Sequence, residues 1–289
     1  MKTIFQISTF LLFMTVLLQG CTKVSEPYYS VKSVYVDTTR RSILLEDYTG
    51  HLCVNCAPAS KTANSLQELY EGQVFVIAVH AGDFAKPNSD PRYVPYLLSD
   101  YTCEAGNEWN SYSGFDIEAW GYPRGLINRR YYKGSISFGP TDWNQAIQAS
   151  IGLPKVAVMT VNNTYNSQTK VLNSKVDMKF LINYSGKVNL TVCLLEDSIY
   201  GGQLNSIKPD STPIIKNFRF MHMLRGSLNG TFGEEITVNP QSGNILTKTY
   251  SFPFTGTDFK VAHCNVIAFI SDGDTKEVLH VAKSSDIKP

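Results

Sequence analysis

The chain has 289 residues, enough for two domains that each bury a core, and its 43% hydrophobic and 18% charged content marks it as globular, not disordered. The formal net charge of +1 comes without any basic block, so the sequence has no electrostatic footprint for nucleic acid and that class is set aside.

The first segment, MKTIFQISTFLLFMTVLLQGC, has Lys2, an apolar run from Phe10 to Leu18, and small or polar residues before a cysteine. That is the layout of an export signal over residues 1–20, and the run is short for a membrane span. Leu18-Gln19-Gly20-Cys21 resembles a bacterial lipobox. The resemblance implies that Cys21 is lipidated as the first mature residue and anchors the protein to a membrane, with residues 21–40 as a tether. Export also sets the redox context. Disulfides persist outside the cytoplasm, so Cys53, Cys56, Cys103, Cys193 and Cys264 must be read as candidates for pairing. Because five is odd, pairing Cys53 with Cys56 leaves at least one free thiol among the rest.

From Ser42 to Gly152 strand and helix signals alternate. SILLEDY is a short apolar strand, and the segment after it carries Cys56, Ala59, Ala63, Leu66 and Leu69 or Tyr70 at helical spacing before Gly72. Residues 73–79, QVFVIAV, have the continuous β-branched content of a buried strand. A polar insertion at about 80–120 is too long for a plain connection; short helices such as PRYVPYLLSDY are expected in it, placed to cover or shape a site. GYPRGLINRRYY then turns into a strand, and Thr141-Asp142 opens a helix with Trp143, Ile147 and Ile151 on its apolar stripe. This order predicts an α/β layer over residues 41–153.

After Pro154 the period changes to two. Val176, Met178, Phe180 and Ile182 share one face of a strand, and Val188, Leu190, Val192 and Leu194 share a face of the next. AHCNVIAFIS and EVLHVAK follow the same pattern, so residues 154–289 read as an all-β, immunoglobulin-like antiparallel sandwich. The stretch from Tyr200 to Asn244 has no clear place in it.

Cys53-Val54-Asn55-Cys56 carries the chemistry. A thiol attacks only when ionised, and a cysteine in the first turn of a helix faces orphan N–H groups and the positive dipole end, which favour thiolate. The two-residue spacer puts the second sulfur within disulfide reach. With Cys56 on the apolar stripe, the expected pair is asymmetric: Cys53 exposed and attacking, Cys56 buried and resolving. A structural staple and half of a metal site are the competing readings. A metal would need two more soft ligands, for which His51, His80 and Cys103 are the candidates, although no second C-x-x-C or H-x-x-x-H exists. No cofactor motif is present.

The order strand, C-x-x-C, helix, strand resembles the thioredoxin-like superfamily. The resemblance implies that Asp47, six residues before Cys53, is a buried base for Cys56, and that Pro123 is a cis-proline presenting substrate backbone to the cysteines. More closely, LLEDYTGHLCVNCAPAS, VIAVHAGDFA, AGNEW, GYPRGLINR and HMLRGSLNGTFGE resemble the lipoproteins named after outer membrane protein 28. That family is thought to join a thioredoxin-like domain to a β-sandwich at the outer membrane. The chain departs from common thioredoxin patterns at Leu52, where an aromatic residue is usual, and at Val54-Asn55 in place of Gly-Pro.

Together these features predict a membrane-tethered thiol-disulfide oxidoreductase acting on exported proteins that bear thiols or disulfides. The alternative is a non-catalytic binding or adhesion lipoprotein on the same scaffold, with Asp47 as a strand-end carboxylate and Pro123 as a turn residue. Cys103 is expected near the active pair, and Cys193 and Cys264 on strands that could pair. Asn128 and Arg129 are read as fold-stabilising strand-end groups, and His222 as a packing histidine.

Overall fold

A computed structural model of the protein describes residues 39–206 and 213–289. The export signal, Cys21 and the tether through residue 38 lie outside the described residues.

Strand β1 (Ile43–Thr49) is buried along its whole length. Helix α1 (Cys56–Leu69) follows and buries Cys56, Ala57, Ala59, Ala63 and Leu66, the stripe legible in the sequence. Pro58 is tolerated because it falls in the first turn, where its missing N–H has no partner to lose. The helix stops where Tyr70 N–H closes on the Leu66 carbonyl at 3.0 Å and Gly72 turns with φ +78. The chain then returns as β2 (Val74–His80), parallel to β1 with Ile43 opposite Val74 and Thr49 opposite His80.

In the insertion, the helix expected within PRYVPYLLSDY does not form; residues 91–97 are a run of turns. Pro95 explains this, because it has no N–H to donate and pushes Val94 out of the helical region. The helices lie later, as α2 (Glu104–Asn110) and α3 (Ile117–Trp120). Strand β3 (Arg124–Ile127) runs antiparallel to β1, the short β4 (Ser137–Phe138) pairs with its other side, and α4 (Trp143–Ile151) buries Trp143, Ala146 and Ile147.

The second half supplies β5 (Ala157–Asn166), β6 (Val171–Phe180), β7 (Lys187–Glu196), β8 (Ile199–Leu204) and β9 (Ile214–Phe220). It continues with β10 (Met223–Ser227), β11 (Glu234–Val238), β12 (Ile245–Pro253), β13 (Cys264–Asp272) and β14 (Val278–Lys283). Strands β12-β6-β5 form a three-stranded sheet whose Leu172, Val176, Met178 and Phe180 pack on Val188, Leu190, Val192 and Leu194 of β7 and Val266, Ala268 and Ile270 of β13. Ile182 falls beyond β6 and is 39% exposed.

The change of pattern at Pro154 is not a break in the sheet. One open sheet runs β14-β13-β7-β10-β2-β1-β3-β4, with β11 on β7, so strands of both halves share one ladder. The join is narrow: Met223 of β10 pairs with Ala78 of β2, and Ala78 N–H donates to the His222 carbonyl at 2.8 Å. Packing reinforces it. Leu44, Ile77, Trp109 and Leu126 from the first half share a core with Cys193, Leu195, Phe269 and Val281 from the second, so β7 and β13 are buried on both faces. The described chain is thus mostly β with few helices, and none of those helices is long and apolar enough to cross a membrane.

Candidate functional site

Cys53 and Cys56 form a disulfide, with their Cα atoms 5.4 Å apart. Two expectations about Cys53 are corrected. It does not stand in the first turn of the helix: α1 begins at Cys56 with Asn55 as its N-cap, and Cys53 belongs to the preceding turn, its carbonyl accepting Cys56 N–H at 3.2 Å. Nor is it exposed. Cys53 is 4% accessible and Cys56 fully buried.

The cover comes from the stretch whose place the sequence left open. Strands β8 and β9 pair as a hairpin arm, and the chain leaving β8 runs along the C-x-x-C loop. Leu204 N–H donates to the His51 carbonyl at 2.8 Å and Ser206 N–H to that of Val54 at 3.2 Å. Gln203 Nε2, on a residue 2% exposed, donates to the Cys53 carbonyl at 2.9 Å. Leu204 and Ile214 of the arm pack on Leu97, with Leu52 beside them. At the arm's other end Phe220 meets Tyr101 and His80, and Tyr101 meets His51, with ring centroids 5.1–5.3 Å apart. Leu52, the departure from the aromatic pattern, is therefore a packing surface for the arm.

Asp47 is buried beside the helix that carries Cys56. It is 1% exposed on the α1 side of β1, and Ser60, one helical turn beyond Cys56, donates to its Oδ2 at 3.3 Å. Its Oδ1 has no partner. Burial pushes the carboxyl up to about 7, with the Ser60 bond pulling weakly the other way. Asp47, Ser60, His80, Phe218 and Phe220 line a cavity of about 10 Å³, so the arm closes over the carboxyl too. His51 and His80 are held neutral, lowered by burial to about 4 and about 3. The Tyr122–Pro123 peptide is cis, and Tyr122 Oη donates to Asn110 Oδ1 at 2.6 Å. The Phe84 ring lies 5.4 Å from that of Tyr122, and the Phe84 carbonyl accepts Leu52 N–H at 2.9 Å. The loop of Pro123 is thus tied through Phe84 to the C-x-x-C loop.

Cys103, Cys193 and Cys264 are free. The last two lie on adjacent strands, yet Cys193 faces the core shared by the two halves and Cys264 the sandwich core, so the sheet separates them. Burial pushes all three thiols up, away from thiolate. Among the described residues no cluster of His, Cys, Asp or Glu side chains is arranged to hold a metal ion. His222 is buried with Nδ1 3.0 Å from Asp197 and Nε2 3.0 Å from Gln67.

Sequence reasoning missed Glu46. Arg129 donates through Nε and Nη2 to its two oxygens at 2.9 and 2.7 Å, with both side chains at most 1% exposed. The rings of Trp109, Phe115 and Phe269 surround the guanidinium at 4.7–4.9 Å. The signal was present: two consecutive carboxylates in an apolar strand point to opposite faces, so each needs its own means of burial. Asn128 completes the strand end by accepting Leu44 N–H at 2.7 Å.

Among solved structures, HBP35 of Porphyromonas gingivalis matches at 16% identity and TM-score 0.54, covering 88% of this chain and 76% of that one, a likeness of fold alone. A domain of the outer membrane lipoprotein Omp28 of P. gingivalis is 23% identical over 46% of this chain and 88% of its own, with TM-score 0.31. Protein AGR_C_4864 of Agrobacterium tumefaciens is 13% identical over 86% of this chain and 97% of its own, with TM-score 0.47. No curated protein matches. The model of the family described as outer membrane protein Omp28 matches residues 110–287, more than half of the chain. The chain therefore belongs to the outer membrane protein Omp28 family, and its place is the cell outer membrane.

Proposed function

We propose that the protein is a non-catalytic binding lipoprotein of the outer membrane, anchored through Cys21, in which residues 41–153 keep a thioredoxin-like arrangement as scaffold and the 53–56 disulfide serves as a staple. One observation carries this reading: Cys53, whose sulfur would have to attack, is 4% exposed, beneath a segment of the chain's own second half. A nucleophile in thiol exchange has to meet a second sulfur in line with the bond that breaks, and a covered Cys53 cannot do so. The remaining thiols offer no substitute, since burial disfavours their ionised form.

The earlier expectation, thiol-disulfide exchange on exported proteins by Cys53 with Cys56 resolving and Pro123 presenting the substrate, survives as a second reading. Asp47 favours it, because a buried carboxyl at about 7 beneath the helix that carries Cys56 is suited to moving a proton at neutral pH. The two readings separate in a trapping experiment. A Cys56→Ser variant expressed in its own envelope leaves Cys53 unable to resolve a mixed disulfide. The binding reading expects no Cys53-dependent adducts with other proteins; discrete adducts lost on further Cys53→Ala substitution would establish exchange instead.

A further inference from the structure

We propose that the β8–β9 arm is a displaceable cover over the C-x-x-C loop, a backbone-acceptor groove filled in cis by Gln203–Ser206, so that thiol access to the disulfide is set by lifting the arm and not by unfolding the protein. The carbonyls of His51, Cys53 and Val54 all accept bonds from this one stretch. Two of the donors are main-chain amides on alternate residues, Leu204 and Ser206. The third is the Gln203 side chain, which also bonds the Leu204 carbonyl at 3.0 Å and so ties the arm's own backbone to the loop.

The arm is built to move as a unit. Its strands pair with each other and not with either large sheet, so lifting it breaks no ladder of the main fold. Its apolar holdings are local, Leu204 and Ile214 on Leu97 at one end and Phe220 on Tyr101, His80 and Met223 at the other. Although Phe220 rests against His80 of β2 and Met223 of β10, no arm residue enters the sandwich core or the core shared by the two halves, so the arm belongs to the part of the molecule that opens below the cost of global unfolding.

The probe is dithiothreitol. Its thiolate attacks Cys53 Sγ and the Cys53–Cys56 bond breaks. Cys56 then leaves as thiolate and takes up a proton. The second dithiothreitol thiol displaces the Cys53 sulfur, so two electrons pass to the protein while the reagent closes to its cyclic disulfide. Reduction is followed in the folded full-length protein by alkylation and mass spectrometry, and amide hydrogen exchange is measured under the same conditions. The expected result is that reduction is slowed by the same factor that protects the Leu204 and Ser206 amides. Gln203→Ala, which removes the side-chain bonds to the Gly50, Cys53 and Leu204 carbonyls, should speed reduction about tenfold. Val176→Ala, in the sandwich core away from the arm, should leave the rate unchanged. The proposal is overturned if reduction tracks the slowest core amides, if Gln203→Ala leaves the rate unchanged, or if Val176→Ala speeds it equally. Should Gln203→Ala fail to fold, the wild-type comparison of exchange with reduction decides alone. Neither result depends on whether exported proteins are trapped, so failure here is distinct from failure of the binding reading.

Discussion

At the scale of single residues, the consecutive acids Glu46 and Asp47 face opposite sides of β1 and meet opposite fates. Glu46 is paired with Arg129 in a buried, ring-walled site. Removing one partner leaves an unpaired buried charge, so Arg129→Ala should cost about 3–5 kcal/mol in urea unfolding, and Glu46→Leu with Arg129→Met together should cost much less. Asp47 has no cation partner, and its pH effect follows from its pKa. Between about 4 and 7 the folded state binds the Asp47 proton and the unfolded state does not, so this group withdraws stability as pH rises through that window. His51 and His80 act oppositely: lowered to about 4 and about 3, they contribute stability that is full above 6.5 and lost as pH falls. Two histidines outweigh one carboxyl, so stability should decline from pH 6.5 toward 4, and Asp47→Asn should make that decline steeper in denaturation curves taken across the range. Asp47 was legible because its spacing from Cys53 matches a known pattern. Glu46 was not, because its partner lies 83 residues away and nothing local marks the pair.

At the scale of elements, helices and strands with an internal period were readable: the stripe of α1 and the alternation of β6 and β7 come out as their spacing requires. The β8–β9 arm was not. Its residues alternate weakly because it packs on a loop and an insertion instead of a sheet face, and its use is fixed only by the fold around it. Glycine marks the closest approach. A Cβ on Gly202 would strike the Tyr96 carbonyl, a backbone atom that cannot swing aside. Gly202→Ala should therefore lift the arm from the insertion. The expected signature is loss of exchange protection at Leu204 and Ser206, with the amides of β7 and β13 unaffected. The position of Cys53 shows a similar limit of spacing arguments. A C-x-x-C before a helical stripe says that a helix is near but not which residue starts it, and here Cys53–Asn55 form a turn ahead of the helix.

At the scale of the whole molecule, sequence periodicity divides the chain at Pro154, whereas hydrogen bonding and packing join it. The reason is that β7 and β13 bury both faces, one under the sandwich sheet and the other under Trp109 and its neighbours. Period-two patterning reports which residues share a face but not which element covers it. The shared core predicts a single cooperative unfolding transition seen alike by fluorescence and circular dichroism. It also predicts that a fragment of residues 39–153 remains unfolded on its own; a folded fragment would restore two independent domains. What most needs testing is the covered state of Cys53. Folded full-length protein at pH 8 is given a brief pulse of excess dithiothreitol, followed by alkylation and quantification of the peptide carrying Cys53 and Cys56. The expected result is an essentially unlabelled peptide that labels fully once the protein is denatured first. Complete labelling in the folded protein, at the speed of an exposed model disulfide, would contradict a covered cysteine and return thiol exchange to first place.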